Sequence, residues 1–166
     1  MSFSEPKYYK PFVYIGSDHA GYQLKEELKN FMTEKGFKFL DLGCFSQDSI
    51  DYPDIAREVT EKVVDEKKSL GVLICGTGIG MMMSANKRTG VRAAVCTHEL
   101  MAKMARLHND ANVLTLGSRI TGSELAKHIL EVFLTTEFEN DERHKRRIAK
   151  MEKGEIPVKG DMEESC

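Results

Sequence analysis

The sequence predicts an α/β fold: three layers, with a five-stranded parallel sheet between helices and an extra C-terminal helix. Three observations predict it. Five short apolar, β-branched-rich runs alternate with stretches of helical periodicity, each pair is joined by glycine or polar residues, and the 166 residues suffice for one domain with a single core.

Phe12 to Ile15 forms the first strand and closes at Gly16. Leu24, Leu28, Phe31 and Met32 then fall on one helical face, and Gly36 ends that helix. Phe37 to Leu42 is the second strand, and Pro53 opens a helix striped by Ile55, Ala56, Val59 and Val63. Leu70 to Cys75 is the third strand; a Gly-rich turn leads into a helix through Met81, Met82 and Ala85, with Met81 to Met83 expected to pack beneath it. Val91 to Val95 is the fourth strand, with Leu100, Met104 and Leu107 marking the next helix. Val113 to Leu116 is the fifth, and Thr121 with Glu124 has capping-box spacing ahead of Leu125, Ile129 and Val132. Arg143 to Met151 reads as a last helix projecting from the domain. The expected organisation is one domain over residues 1–151 and a flexible tail over 152–166, where the sequence is strongly polar. Right-handed crossovers place every strand-to-helix turn on one edge of such a Rossmann-like sheet, where ligands of open α/β folds bind.

Composition excludes several classes of function. With 24 Lys and Arg against 26 Asp and Glu, net charge is −2, so no global basic field points to nucleic acid or an anionic membrane. No apolar run has the roughly 20 residues a membrane span needs. The opening MSFSEPKYYKP has no apolar stretch of the secretory kind, and Cys44, Cys75, Cys96 and Cys166 form no CxxC pair, so free thiols in a cytoplasmic protein are expected.

Chemically capable groups are expected at the carboxyl ends of the strands. These are Ser17-Asp18-His19 after the first, Cys75-Gly76-Thr77-Gly78-Ile79-Gly80 after the third, Arg119 past the fifth, and His108-Asn109-Asp110 just before the fifth. Alternating glycines let backbone amides approach an anion, and the following helix start adds unpaired N–H groups. The bland alternative is a tight turn with no ligand, and Cys75 could simply close a buried strand. Arg143 and Arg147, four apart, share a helical face and suit a phosphate, although a solvated basic stretch with Lys145 and Arg146 has the same pattern. No histidine pair has ligand spacing with a carboxylate, so no metal site and no cofactor are expected.

Taken in order, Gly16-Ser17-Asp18-His19-Ala20-Gly21, Asp51-Tyr52-Pro53-Asp54, Cys75 to Gly80, Ala85-Asn86-Lys87, His108 to Leu114 and Arg143-His144-Lys145-Arg146-Arg147 resemble the type B ribose-5-phosphate isomerases. The resemblance runs from about Val13 to about Met151. It implies a metal-free interconversion of ribose 5-phosphate and ribulose 5-phosphate through an enediolate, in the non-oxidative pentose phosphate pathway, by a homodimer with shared sites. Residue by residue, it implies Cys75 as the base moving a proton between C2 and C1, and His108 as the acid/base that opens the sugar ring. Asp18, His19, Tyr52, Gly76, Thr77, Gly78, Ile79, Gly80 and Asn109 match substrate-contacting positions, and Arg119, Arg143 and Arg147 match the phosphate clamp. A branch of the family with a glutamate base has it where this chain has Met81, so the chain resembles the cysteine branch. It departs from the common Glu-Gly-Gly-Arg-His ending, carrying Glu139-Asn140-Asp141-Glu142 before Arg143. Isomerisation of allose 6-phosphate or galactose 6-phosphate, or phosphate binding without catalysis, remain alternatives.

Overall fold

The computed structural model describes residues 9–153. Its elements are β1 Val13–Ser17, α1 Tyr22–Glu34, β2 Phe39–Asp41, α2 Tyr52–Asp65, β3 Leu70–Cys75, α3 Ile79–Ala85, β4 Ala93–Val95, α4 Glu99–Asn109, β5 Val113–Gly117, α5 Ser123–Thr135 and α6 Glu142–Glu152. The five strands are parallel, in the order β2-β1-β3-β5-β4. That order was not legible in the sequence pattern.

Strand side chains alternate between two helical layers. Val13, Ile15, Val72, Ile74, Leu114 and Leu116 meet α1, α4 and α5 on one face. Tyr14, Leu73, Cys75 and Val113 meet α2 and α3 on the other. With both faces covered, β1, β3 and β5 are buried throughout, which is why they read as continuous apolar runs. The edge strands β2 and β4 keep only three residues each, fewer than the pattern predicted. The open side of β4 is partly closed by a side chain: the Asn86 amide accepts from Ala93 N–H at 2.8 Å and donates to its carbonyl at 2.9 Å.

Three expectations are corrected. The Thr121–Glu124 capping box does not form; α5 begins after Gly122 without a side-chain cap, and the buried Thr121 hydroxyl has no hydrogen-bond partner among the described residues. In α4 the buried residues are Ala102 and Ala105, while Leu100 is exposed, because close approach to the sheet and α5 favours the small side chains. Met81 is fully buried as expected, but Met83 on the outer face of α3 is exposed.

The last helix does not project freely. Its start is capped by Asp141, whose carboxylate accepts from Arg143 N–H at 2.8 Å. Its one buried residue, His144, lies on α4, and Glu152 pairs with Arg92 Nη1 at 2.6 Å. Glu152 therefore belongs to the helix; of the expected tail, residues 154–166 lie outside the described residues. By comparison α5 fully buries Ala126, Ile129, Leu130 and Phe133. The three larger of these are each worth about 1.5–3 kcal/mol, so apolar burial anchors α5 while polar contacts anchor α6.

Candidate active site

Cys75 is the last residue of β3, paired with Gly117 of β5. Its buried Sγ accepts the Gly78 N–H at 3.1 Å. Gly78 can turn back onto the sulfur because it has φ +80°, and a Cβ there would meet Leu116 carbon and Val95 Cγ2 at 3.0 Å. Only glycine suits both demands. The first backbone bond of α3 runs from Met82 N–H to Gly78 oxygen (3.0 Å), so the amides before it have no partner within the helix. Just past β4, burial pushes the Cys96 thiol up to about 11, so it stays protonated at neutral pH.

Around this turn three strand-end loops meet. Asp18 leaves β1 with its N–H donating to Ile74 oxygen (3.0 Å), and its buried carboxylate accepts Gly21 N–H (3.0 Å). His19 Nδ1 accepts from Ile50 N–H at 3.5 Å, at the end of the loop preceding α2. The half-exposed Tyr52 lies against Gly80, where an added Cβ would stand 2.9 Å from the ring. Arg119 N–H donates to Gly76 oxygen (3.0 Å) and its side chain runs past the same glycine, with Nη1 3.4 Å from where a Cβ would be. Ser118, which the sequence reading missed, ties the loops together. Its N–H donates to Cys75 oxygen (2.9 Å) and its hydroxyl to Ala20 oxygen (2.8 Å). Its place between a strand end and Arg119 was the only signal available.

His108, Asn109, Arg143 and Arg147 are not part of this gathering, which corrects the expectation that His108 joins the carboxyl ends. The parallel order dictates their place. Helix α4 starts beyond the carboxyl end of β4 and must run back before β5 can begin, so its last residues lie at the amino edge. Its 11 residues cover about 16 Å of axis. Arg92, just before β4, donates from Nε to the carbonyls of Asn109 (3.1 Å) and Asp110 (3.0 Å), which fixes that end of α4 at the amino edge. Arg143 and Arg147 lie on α6, beside it.

At this second cluster the rings of His108 and His144 stack, with centroids 4.4 Å apart and an interplanar angle of 15°. His108 Nε2 is 3.6 Å from Glu139 Oε2, and Arg143 Nε donates to His144 Nε2 at 3.3 Å. Both arginines are exposed. His108, Glu139 and His144 bring potential ligand atoms within 4.8 Å of one another, a grouping that sequence spacing did not reveal. The arrangement suits a stack better than a cage. Nearly parallel rings do not converge their lone pairs on one tetrahedral centre, and a guanidinium already occupies the His144 nitrogen.

A sequence profile of the Ribose/Galactose Isomerase family matches residues 13–151. The chain belongs to this family. It is 41% identical over 136 residues to ribose-5-phosphate isomerase B of Escherichia coli, covering 82% of this chain and 91% of that one. A Bacillus subtilis relative, 46% identical over 140 residues (84% of this chain, 93% of that one), is named only provisionally, as a sugar phosphate isomerase with no sugar specified. Among solved structures, ribose-5-phosphate isomerase B of Clostridium thermocellum superposes with a TM-score of 0.83 at 44% identity (86% and 95% coverage). The type B enzyme of Trypanosoma brucei gives 0.84 at 40% identity (89% and 100%). The chain is therefore an isomerase with the Rossmann-like architecture of those structures. Among the described residues no helix is long and apolar enough to cross a membrane.

Proposed function

We propose that this isomerase interconverts D-ribose 5-phosphate and D-ribulose 5-phosphate without a metal, as a cytoplasmic homodimer of the pentose phosphate pathway whose two sites are each built from both chains. The observation that carries the reading is the Cys75 sulfur, held against the Gly78 amide in a glycine turn with Arg119 alongside. A binding module needs amides and arginines for a phosphate; it has no need of a nucleophilic sulfur aimed into the same turn.

The chemistry follows in balanced steps. An acid/base residue, His108, donates a proton to the ring oxygen and accepts one from the C1 hydroxyl, giving the open aldehyde. The carbonyl acidifies the C2 hydrogen, and the Cys75 thiolate removes it. The electron pair moves onto O1, where amides of the 76–80 turn stabilise the enediolate; each such donor can be worth roughly 3 kcal/mol in a dry site. The O2 proton then passes to O1, and Cys75 returns its proton to C1 as O2 becomes the carbonyl, leaving the ketose and the thiolate as it began. Remote binding of the phosphate by arginines supplies orientation.

His108 stands about one strand length, roughly 16 Å, from the edge that carries Cys75. One chain cannot bring the two to the same sugar. A second copy can: His108, Asn109, Arg143 and Arg147 of one subunit enter the Cys75 edge of the other, while Arg119 serves the phosphate within its own subunit. The test is turnover of purified protein on ribose 5-phosphate, allose 6-phosphate and galactose 6-phosphate, with and without EDTA. We expect kcat/KM at least tenfold higher for the five-carbon substrate and no effect of chelator. A six-carbon preference would reassign the substrate, and activity lost to EDTA and restored by a divalent ion would overturn the thiolate route.

A further inference from the structure

Lys25 is a charged side chain that is completely buried, and nothing in the proposed isomerisation uses it. Removing an ammonium from water costs several kcal/mol unless partners compensate, so its surroundings must be specific. They are. Its Nζ donates to Asp41 and to Glu26 Oε1 (3.0 Å), between the rings of Tyr22 and Phe45, each 5.5 Å away.

Asp41 has every oxygen engaged. Oδ2 accepts from Lys25 and from Lys29 (2.8 Å), and Oδ1 accepts the Gly43 N–H (2.9 Å). Burial pushes its carboxyl up, but the hydrogen bonds from Lys25, Lys29 and Gly43 outweigh that and hold it below its ordinary range. Gly43, at φ +116°, in turn accepts Ser17 N–H at 2.6 Å, and Cys44 N–H donates to Ser17 oxygen at 2.8 Å. The next residue is Asp18. From the other side, Lys25 N–H donates to Gly21 oxygen at 2.9 Å, and Gly21 N–H reaches the Asp18 carboxylate. One residue therefore holds the Asp18–Gly21 turn by its backbone and, through Asp41, the start of the loop that ends at Ile50 on His19 and at Tyr52.

We propose that Lys25 and Asp41 are positioning residues: a buried ion pair that fixes the β2–α2 loop against the β1 turn and so places His19 and Tyr52 for the sugar phosphate. The inference rests on the assignment of those two residues to substrate binding. It carries a selective signature. Cys75 is set by the β3–β5 register and by Gly78, neither of which touches the pair, so loss of the pair raises KM and leaves kcat nearly unchanged.

The test compares Lys25→Met, Asp41→Asn and the double variant with wild type, using kcat, KM and calorimetric affinity for ribose 5-phosphate. Asp41→Asn keeps the acceptor for Gly43 N–H and is the variant to read if Lys25→Met does not fold. We expect KM and Kd to rise about tenfold with kcat within threefold, and the double variant to be no worse than the worse single, as coupling requires. Unchanged KM and Kd in folded Asp41→Asn, or a fall in kcat with KM unmoved, would overturn the proposal. Wild type that binds ribose 5-phosphate but does not turn it over would sink the isomerase substrate assignment instead, while the Kd comparison would still decide the role of the pair.

Discussion

The two clusters at opposite edges of the sheet are made of different material. At the carboxyl edge, main chain does most of the placing: Cys75 is set by strand register, Gly78 N–H meets its sulfur, and Gly76 and Gly80 admit Arg119 and Tyr52. At the amino edge, side chains do it: His108 of α4 stacks on His144 of α6, with Glu139 and Arg143 beside them, and α6 has one buried residue. The first kind is stiff without help. The second rests on rotatable side chains and is freer to adjust. The fold keeps them apart in one chain.

Disabling the stiff edge gives the largest effect. Cys75→Ala is expected to abolish turnover while ribose 5-phosphate still binds and the melting temperature stays close to wild type. Cys96→Ala should be far milder, since that thiol is protonated and buried. Retention of more than a tenth of wild-type kcat, under about 1.4 kcal/mol of barrier, would remove Cys75 as the base.

Whether the edges belong to one site is settled by mixing subunits. Arg147→Ala alone should raise KM for ribose 5-phosphate severalfold while hardly changing the response to unphosphorylated ribose. A purified heterodimer of one Arg147→Ala subunit and one Cys75→Ala subunit then holds one intact composite site and one doubly defective site. At ribose 5-phosphate well below KM it should recover about half of wild-type kcat/KM by counting sites; a heterodimer with only half the kcat/KM of the Arg147→Ala parent would place each arginine with its own subunit's cysteine.

The smallest expected effect lies within the stiff edge. In Gly80→Ala the new methyl starts 2.9 Å from the Tyr52 ring, so the ring must swing outward. Because that ring end is half exposed and free to move, the cost is a KM rise of about two- to fivefold rather than loss of fold. A change in kcat with KM constant would mean that Tyr52 acts on chemistry and not on binding.

Much of this was legible in the residues. The buried strands showed because burial on both faces leaves no polar alternation, and β3 was bounded correctly at Leu70 and Cys75. The edge strands were overextended, since Phe37 and Val91 are buried outside the ladder and mimic strand residues. The Thr121–Glu124 spacing misled because the chain enters α5 through Gly122. Of the site, glycine spacing marked the turn after Cys75 but left a ligand-free turn equally open, and only the family resemblance gave it a role. The displacement of His108 was not recognised, although the topology contained it: a residue that precedes a parallel strand lies at that strand's amino end. Ser118 and Lys25 were invisible because their importance comes from contacts between loops distant in sequence.

The Asn86 amide on Ala93 has a consequence for how copies can associate. It takes up an N–H and a carbonyl that an edge strand would otherwise offer to another chain's backbone. Copies of the sheet are thereby discouraged from joining edge to edge into a longer ribbon, the route by which open strands polymerise and precipitate. At that edge, contact with another copy would have to come through helices and turns instead.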